Sequence, residues 1–345
     1  MKNTNIAIIG CGNISVQYAQ TLKPYPFINI KGVYDIDRSR AEEFAYAHGT
    51  SVFDSIDDII KDPDISIVVN LTIPRVHGEI NRRLLVGSKH VYTEKPIAMT
   101  YEEAKGIVAL VAEKGLMLCS SPITFLGDTQ MEAARLLKED ITGKIRLVAA
   151  QMHNGMFEKW HPNPSSLYDV GVLYDVGIYP ITYITYLFGP AVRVRAFGKV
   201  LMPERFDLQD RAFRIKKPDH LYAEIELASG IHFTLNASFL IDYMKRPASV
   251  EFVGDKGVLY LGSSLFFRSP LRFAEHFKPY EDVADTSGAY DGIEWCRGLV
   301  DMARALDSGT SPKADPYHAL HVIEILEAIE KSLNEGIQID LTSTF

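Results

Sequence analysis

The sequence predicts an α/β protein in two parts: a doubly wound parallel sheet, then an α/β domain built on a predominantly antiparallel open sheet. Three observations carry this expectation. Short apolar runs alternate with helical patterns over the first 120 residues, a glycine-rich turn follows the first run, and hairpin signals succeed one another after residue 190.

The apolar runs lie at 5–10, 29–35, 65–71, 89–93 and 116–120. Helical patterns fill the gaps at 13–23, 38–48, 55–61, 75–87 and 100–114, with Asp37, Ser55 and Thr100 as N-cap residues. Strands separated by helices of this length form βαβ units and a parallel sheet. The rhythm changes at "SSP", which divides residues 1–121 from 122–345. Helices are expected at 128–139 and 173–188, then strands at 144–153, 191–202, 220–228, 231–239, 248–254 and 258–262. "LYAEIELASGIHFTLNASF" alternates on both sides of Ser229-Gly230, a hairpin signal. "VEFVGDKGVLYL" reads as a second hairpin, with Gly257 free to take positive φ. Strands joined by hairpins leave one sheet face clear of crossover helices. Helices return at 289–308 and 316–335, and neither an internal repeat nor a low-complexity linker interrupts the chain.

Bulk composition narrows the function. A chain of 345 residues, 47% hydrophobic, is long enough for about two domains with substantial cores. A net charge of −8 and a pI near 5.7 argue against nucleic acid or an anionic membrane as partner. No run of 18 apolar residues is present, and "MKNTNIAIIGCGNIS" is not expected to be a secretory signal. Cys11, Cys119 and Cys296 are odd in number and far apart, which favours free thiols in a reducing cytoplasm.

"IAIIGCGNIS" carries Gly10, Gly12 and Ser15 between a strand and a helix, a G-x-G-x-x-S variant of the dinucleotide fingerprint of a Rossmann domain. Gly10 permits the tight turn and Gly12 the approach of a pyrophosphate. The helix opening at Asn13 and Ile14 offers N–H groups and its positive end to that anion. Asp35 lies 20 residues beyond Ser15, where a carboxylate accepts from the adenine ribose hydroxyls and repels a 2′-phosphate. NAD is therefore the expected cofactor. Arg38 and Arg40 could reach a phosphate, which keeps NADP open. Cys11 reads as a small residue beside the cofactor.

Ligands in such sheets gather beyond the C-terminal strand ends. Thr72 and Pro74 follow one of these ends and would pass close to the cofactor. His77 is either a first-turn helix residue or part of the nicotinamide side. "TEKP" closes the neighbouring strand, so Lys95 falls where the reactive ring should lie. Packed against a cofactor, a lysine loses hydration and can exchange a proton near neutral pH. Pro96 fixes the backbone there, and Glu94 would orient the lysine or the cofactor. Further along, Asp175 and Tyr179 stand at i and i+4, one helical face. They suit hydroxyl recognition and proton exchange, although Tyr179, Tyr183 and Tyr186 also fit an aromatic core face. Pro180 is expected in the first helical turn, which would leave Asp175 in the entry loop.

"IIGCGNIS", "TEKPIA" and "DVGIY" together resemble the Gfo/Idh/MocA oxidoreductase family over nearly the whole chain. The resemblance implies an N-terminal Rossmann domain, a C-terminal domain whose open sheet makes homo-oligomer contacts, and a catalytic role for Lys95. The family's later motif, roughly G-G-x-L-x-D-x-G-x-H, is matched at Leu173, Asp175 and Gly177, with Tyr179 in place of the histidine. That tyrosine resembles the glucose–fructose oxidoreductase and dihydrodiol dehydrogenase branches. Trp160 offers a face to a sugar ring, and His161 is a contact or a loop anchor. No histidine or cysteine spacing here matches a zinc set. The expected activity is hydride transfer between NAD(H) and a secondary alcohol of a sugar, polyol or related diol. Lys95 and Tyr179 would converge on the reacting carbon, with Asp175 holding an adjacent hydroxyl or the lysine. Alternatives are an NADP-dependent reductase, a glycoside-processing enzyme with transient redox by bound NAD, and a non-catalytic cofactor or sugar sensor. The loops 153–167 and 240–247 are expected to shape the pocket.

Overall fold

The computed structural model describes residues 3–242 and 248–345, so residues 243–247 of the second expected pocket loop lie outside the described residues. The chain divides into two compact units, residues 1–123 with 294–323, and residues 124–293 with 324–345.

In the first unit the alternation becomes β1 (Thr4–Ile9), α1 (Asn13–Leu22), β2 (Ile28–Tyr34), α2 (Arg38–His48), β3 (Ser51–Val52), α3 (Ile56–Lys61), β4 (Ile67–Asn70), α4 (His77–Val86), β5 (His90–Thr93), α5 (Tyr101–Lys114) and β6 (Leu118–Ser120). All pairs are parallel, in the order β3-β2-β1-β4-β5-β6. The order reverses direction between β1 and β4, which is where such sheets open a ligand crevice. Ile6, Ile8, Val68, Val69 and Val91 are buried, the continuous apolar runs of strands covered on both faces. The three expected N-caps are present: Asp37 accepts from Ser39 N at 3.1 Å, Ser55 from Asp58 N at 3.2 Å and Thr100 from Glu103 N at 3.3 Å. Each such cap is worth about 1 kcal/mol.

The second unit runs through α6 (Asp128–Lys138), β7 (Ile145–His153), α7 (Pro164–Val170), α8 (Ile178–Phe188), β8 (Ala191–Lys199), β9 (Glu204–Phe206), β10 (Ala212–Arg214), β11 (His220–Leu227), β12 (His232–Ser238), β13 (Val250–Gly254), β14 (Gly257–Leu261), β15 (Leu271–Glu275) and β16 (Glu281–Asp282). Helices α9 (Arg297–Ser308) and α10 (Pro316–Glu335) follow, then β17 (Ile339–Asp340), and the division between the units falls inside α10. Among the described residues nine strands form one sheet in the order β16-β15-β14-β13-β7-β12-β11-β8-β17, in which only the β7–β12 pair is parallel. Strands β9 and β10 make a separate hairpin. Alternation sets the two faces: Leu221, Ala223, Ile225 and Leu227 of β11 are buried, as are Phe233, Leu235 and Ala237 of β12. The opposite face carries the cross-strand pairs Arg195–Glu224 and Phe197–Tyr222.

Three local expectations need correction. The helix expected from residue 289 begins at Arg297, because Gly292 turns the chain at φ +97° just before it. Gly257 does not adopt positive φ; it opens β14, where a Cβ would lie 2.2 Å from the Ala274 carbonyl oxygen. Asp175 is not in a loop. Leu173–Gly177 form a π-turn continuous with α8, and Ile178 N–H donates to the Leu173 carbonyl five residues back. Pro180, which has no N–H to give, is thereby the third residue of α8.

Candidate functional site

The glycine loop is built by close backbone contact. Gly10 has φ +96°, and a Cβ there would sit 2.7 Å from the Leu71 carbonyl carbon and 2.9 Å from Thr72 N. A side chain is thus excluded by both conformation and space. Gly12 has ordinary extended angles, φ −82° and ψ −168°, and a Cβ on it would meet nothing within 4 Å. Its need for glycine comes from whatever approaches the open side. Gly12 is also the N-cap of α1, and among the described residues no side-chain hydrogen bond caps that helix, unlike α2, α3 and α5. The first-turn N–H groups at Asn13 and Ile14 are therefore available to an anion. Ser15 is fully buried and donates its hydroxyl to the Gly12 carbonyl at 2.6 Å, so the position that differs from glycine stiffens the turn. These features fit a dinucleotide pyrophosphate.

Asp35 faces the same loop. Its carboxylate accepts from Cys11 N at 2.7 Å and from Asp37 N at 2.8 Å. Burial, aided by the Asp35 charge, pushes the Cys11 thiol up to about 12, so it stays protonated at neutral pH. Arg38 is exposed and paired with Glu42 and Asp54, while Arg40 pairs with Asp37.

Beyond β4, Thr72 donates its hydroxyl to Asn70 Oδ1 at 2.7 Å, and Pro74 starts a 3-10 turn. Asn70 in turn donates to Asn81 of α4 at 2.9 Å, and Asn81 donates to the Ile97 carbonyl at 3.0 Å. His77 opens α4 and is only 1% exposed. Its Nδ1 lies 2.8 Å from the Pro96 carbonyl and its Nε2 lies 2.9 Å from the Thr72 carbonyl. The imidazole thus stitches the loop after β4 to the loop after β5, with both ring nitrogens turned to the chain's own backbone.

Glu94 also points inward. It is buried, and Oε1 accepts from Tyr18 at 2.7 Å and Ser121 at 3.1 Å, while Oε2 accepts from Lys95 N at 3.1 Å. Burial first, then the Glu94 charge, raises both Tyr18 and Tyr92 above the ordinary phenol range, so both remain donors. The segment bearing Lys95 is held from α1 through Glu94, from the end of β6 through Ser121, and from α4 through Pro96.

In the second unit, Tyr179 lies in the first turn of α8 and is 7% exposed, and Asp175 is half-buried on the π-turn before it. Tyr183 of the same helix is buried, donates to the Gln130 carbonyl at 2.9 Å and packs edge-on against Phe252. Trp160 is 55% exposed and ends a 3-10 turn, Phe157–Lys159. His161 Nδ1 accepts from Asn163 N at 3.1 Å, so its proton resides on Nε2 when the ring is neutral.

Two sequence profiles match this chain. The first, described as an oxidoreductase family with an NAD-binding Rossmann fold, covers residues 4–121; the second, a Gfo/Idh/MocA C-terminal domain, covers residues 131–260. The chain belongs to the Gfo/Idh/MocA oxidoreductase family. It is 26% identical to a dTDP-3,4-didehydro-2,6-dideoxy-alpha-D-glucose 3-reductase of Actinomadura kijaniata over 94% of each chain. It is also 26% identical to a trans-1,2-dihydrobenzene-1,2-diol dehydrogenase of Danio rerio, over 52% of this chain and 55% of that protein. Among solved structures, a levoglucosan dehydrogenase in complex with NADH and L-sorbose superposes with a TM-score of 0.85 at 21% identity, over 99% of this chain and 100% of that one.

As a Gfo/Idh/MocA protein the chain is an oxidoreductase with an NAD-binding Rossmann domain. Sequence reasoning missed the Asn70–Asn81 link and the tyrosine and serine that hold Glu94, whose partners lie 27 to 76 residues away. It also missed a buried ion cluster around Arg205 in the second unit, which no local pattern signals.

Proposed function

We propose that the protein catalyses reversible hydride transfer between NAD(H) and a secondary alcohol of a sugar, polyol or related diol. The observation that carries this reading is the fixation of the Lys95 segment by Glu94 and by the Pro96–His77 contact, at the C-terminal edge of the sheet that bears the glycine loop. Bound nicotinamide supplies the hydride acceptor or donor. Lys95 exchanges the hydroxyl proton, shared with Tyr179, and Asp175 holds an adjacent hydroxyl or the lysine. Trp160 and His161 contact the carbohydrate. The residue 1–121 segment serves the coenzyme and the residue 122–345 segment serves substrate and oligomer.

NAD is preferred over NADP. The Asp35 carboxylate at the loop would repel a 2′-phosphate, and Arg38 and Arg40 are already engaged by Glu42, Asp54 and Asp37. A sugar-like substrate is supported by the relatives above, a didehydro-dideoxyglucose 3-reductase and a levoglucosan dehydrogenase. A homo-oligomer through the open sheet is supported by Phe197 and Tyr222, 59% and 43% exposed on its uncovered face. Three buried free thiols suit a reducing cytoplasm.

The test follows absorbance at 340 nm with NAD and NADP separately, across sugars, polyols and dihydrodiols. On the best substrate, Lys95→Met should cut turnover by about two orders of magnitude or more. A double-mutant cycle with Tyr179→Phe should show strong coupling if the two share one proton. Near-normal turnover of Lys95→Met refutes the proton role.

A further inference from the structure

We infer that Arg205 is a positioning residue that, with Glu158, Tyr168 and Asp219, fixes the loop presenting Trp160 and His161. This rests on the carbohydrate-facing role proposed above for that loop. The side chains of Arg205, Glu158 and Asp219 are 0%, 2% and 0% exposed. One arginine thus sits with two carboxylates entirely out of water. Burying ions is costly, and such a set is weak ground for a purely stabilising role.

Its hydrogen bonds tie together four separate stretches of chain. Arg205 donates through one terminal nitrogen to Glu158 Oε1 at 2.8 Å and to the Tyr168 hydroxyl at 2.8 Å. Through the other it donates to Asp219 Oδ2 at 2.9 Å. Tyr168 donates onward to Glu158 Oε2 at 2.5 Å, and the guanidinium lies 4.4 Å from the centroid of the same ring. Asp219 accepts from the backbone N–H groups of Leu201 and Met202 at 2.7 and 3.1 Å. Those N–H donors offset the excess negative charge. The cluster joins the 3-10 turn at Glu158, helix α7 at Tyr168, the stretch from Leu201 into β9 at Arg205, and the residue preceding β11.

Glu158 is the charged residue by which the turn is gripped, and Trp160 stands two residues on. Below the indole, Phe157 packs edge-on against Trp160 at 5.7 Å, Tyr168 at 5.5 Å and Phe239 at 4.7 Å. The approach is pinned as well: Asn154, Gly155 and Met156 donate their N–H groups to the carbonyls of Ser238, Ile241 and Phe239. An indole that is half in solvent yet fixed from beneath loses little freedom when a ring stacks on it. Arg205 touches no solvent, so it acts through the loop and not on the ligand.

The chain has two tryptophans, so Trp295→Phe leaves Trp160 as the sole indole reporter. In that background we would compare Arg205→Met, Tyr168→Phe and, as a control, Leu235→Ala, which truncates a fully buried β12 side chain. The readouts are Trp160 steady-state anisotropy and acrylamide quenching under native conditions, the melting temperature and NADH affinity. Arg205→Met should lower the anisotropy by about a third and double the quenching constant, with NADH affinity within twofold of the parent. Tyr168→Phe should do the same to a smaller extent. Leu235→Ala should lower the melting temperature without changing either Trp160 signal. A folded Arg205→Met protein with parental Trp160 signals overturns the inference, as does a control that changes them equally. If Arg205→Met does not fold, Tyr168→Phe decides by the same criterion. None of these readouts needs turnover, so failure of the proposed activity would be seen separately in the 340 nm screen.

Discussion

Gly10 and Gly12 stand two residues apart in one loop, and their substitution by alanine should have opposite consequences. At Gly10 the new methyl would lie 2.7 Å from the carbonyl carbon and oxygen of Leu71 and 2.9 Å from Thr72 N, all backbone atoms that cannot rotate away. Overpacking of this kind costs about 1–3 kcal/mol. The φ of +96° adds about 1–2 kcal/mol for any residue with a Cβ. The sum, about 2–5 kcal/mol, translates into roughly 10 °C of melting temperature for a unit of this size. At Gly12 the angles suit alanine and the methyl meets nothing. Stability should change by less than about 1 kcal/mol. The methyl would instead occupy the side on which a pyrophosphate approaches, weakening NADH binding about tenfold or more, which is about 1.4 kcal/mol. Thermal melts by circular dichroism and NADH fluorescence titrations read the two effects separately. A Gly10→Ala protein that melts like the parent would refute the steric account. A Gly12→Ala protein that binds NADH normally would refute the assignment of the open side to the dinucleotide.

Further expectations concern other residues. Asp35→Ser removes the carboxylate that faces the loop, and the kcat/KM preference for NAD over NADP, followed at 340 nm, should fall at least about tenfold. Glu94→Gln keeps the size of the group but removes the charge that Tyr18 and Ser121 serve, so stability in urea should drop by about 1–3 kcal/mol. Turnover should fall with it while NADH affinity holds, and unchanged turnover would deny Glu94 any part in holding Lys95. Burial, with the nearby His321, lowers His318 to about 3 from an ordinary 6.5. The unfolded chain therefore takes up this proton as pH falls below 6.5 while the folded one does not, so stability rises with pH in that window. Acidification to pH 5 should remove about 2 kcal/mol through this group alone. His318→Gln should flatten that part of the stability–pH profile measured by denaturant titration, and an unaltered slope would contradict it.

What could be read in advance divides along a physical line. Periodicity and caps are local, and α2, α3 and α5 start at Asp37, Ser55 and Thr100 as their residue types require. The glycine loop was legible for the same reason, since its geometry is written in the residues that form it. Short edge elements were not: β3 and β16 have two residues each, too few to show alternation. "LRFAE" of β15 is bounded by "SP" on one side and a polar turn on the other, and its period is too brief to separate from a loop. The π-turn at Leu173–Gly177 was hidden because nothing in its composition distinguishes a hydrogen bond five residues back from one four back. Arg205 lies in "MPERFDLQD", a polar setting that suggests a solvated side chain, and only tertiary contact turns it inward.

His77 and Glu94 show how this division bears on function. Both belong to the strand-end segments where a ligand is expected, and the sequence allows His77 as a first-turn helix residue or part of the nicotinamide side and Glu94 as a group that orients the lysine or the cofactor. In the fold each spends polar atoms on the chain itself: His77 on the carbonyls of Thr72 and Pro96, Glu94 on Tyr18, Ser121 and the backbone of Lys95. The residues immediately before and after Lys95 are therefore fixed from three different elements. A flexible four-carbon amine gains orientation only if its Cα is held, because each loosened backbone bond adds conformations that do not reach a reacting atom. The inward turn of its neighbours is thus not a loss of function at those positions. It fixes the backbone on either side of Lys95, from which the proton exchange proposed above for that residue would begin.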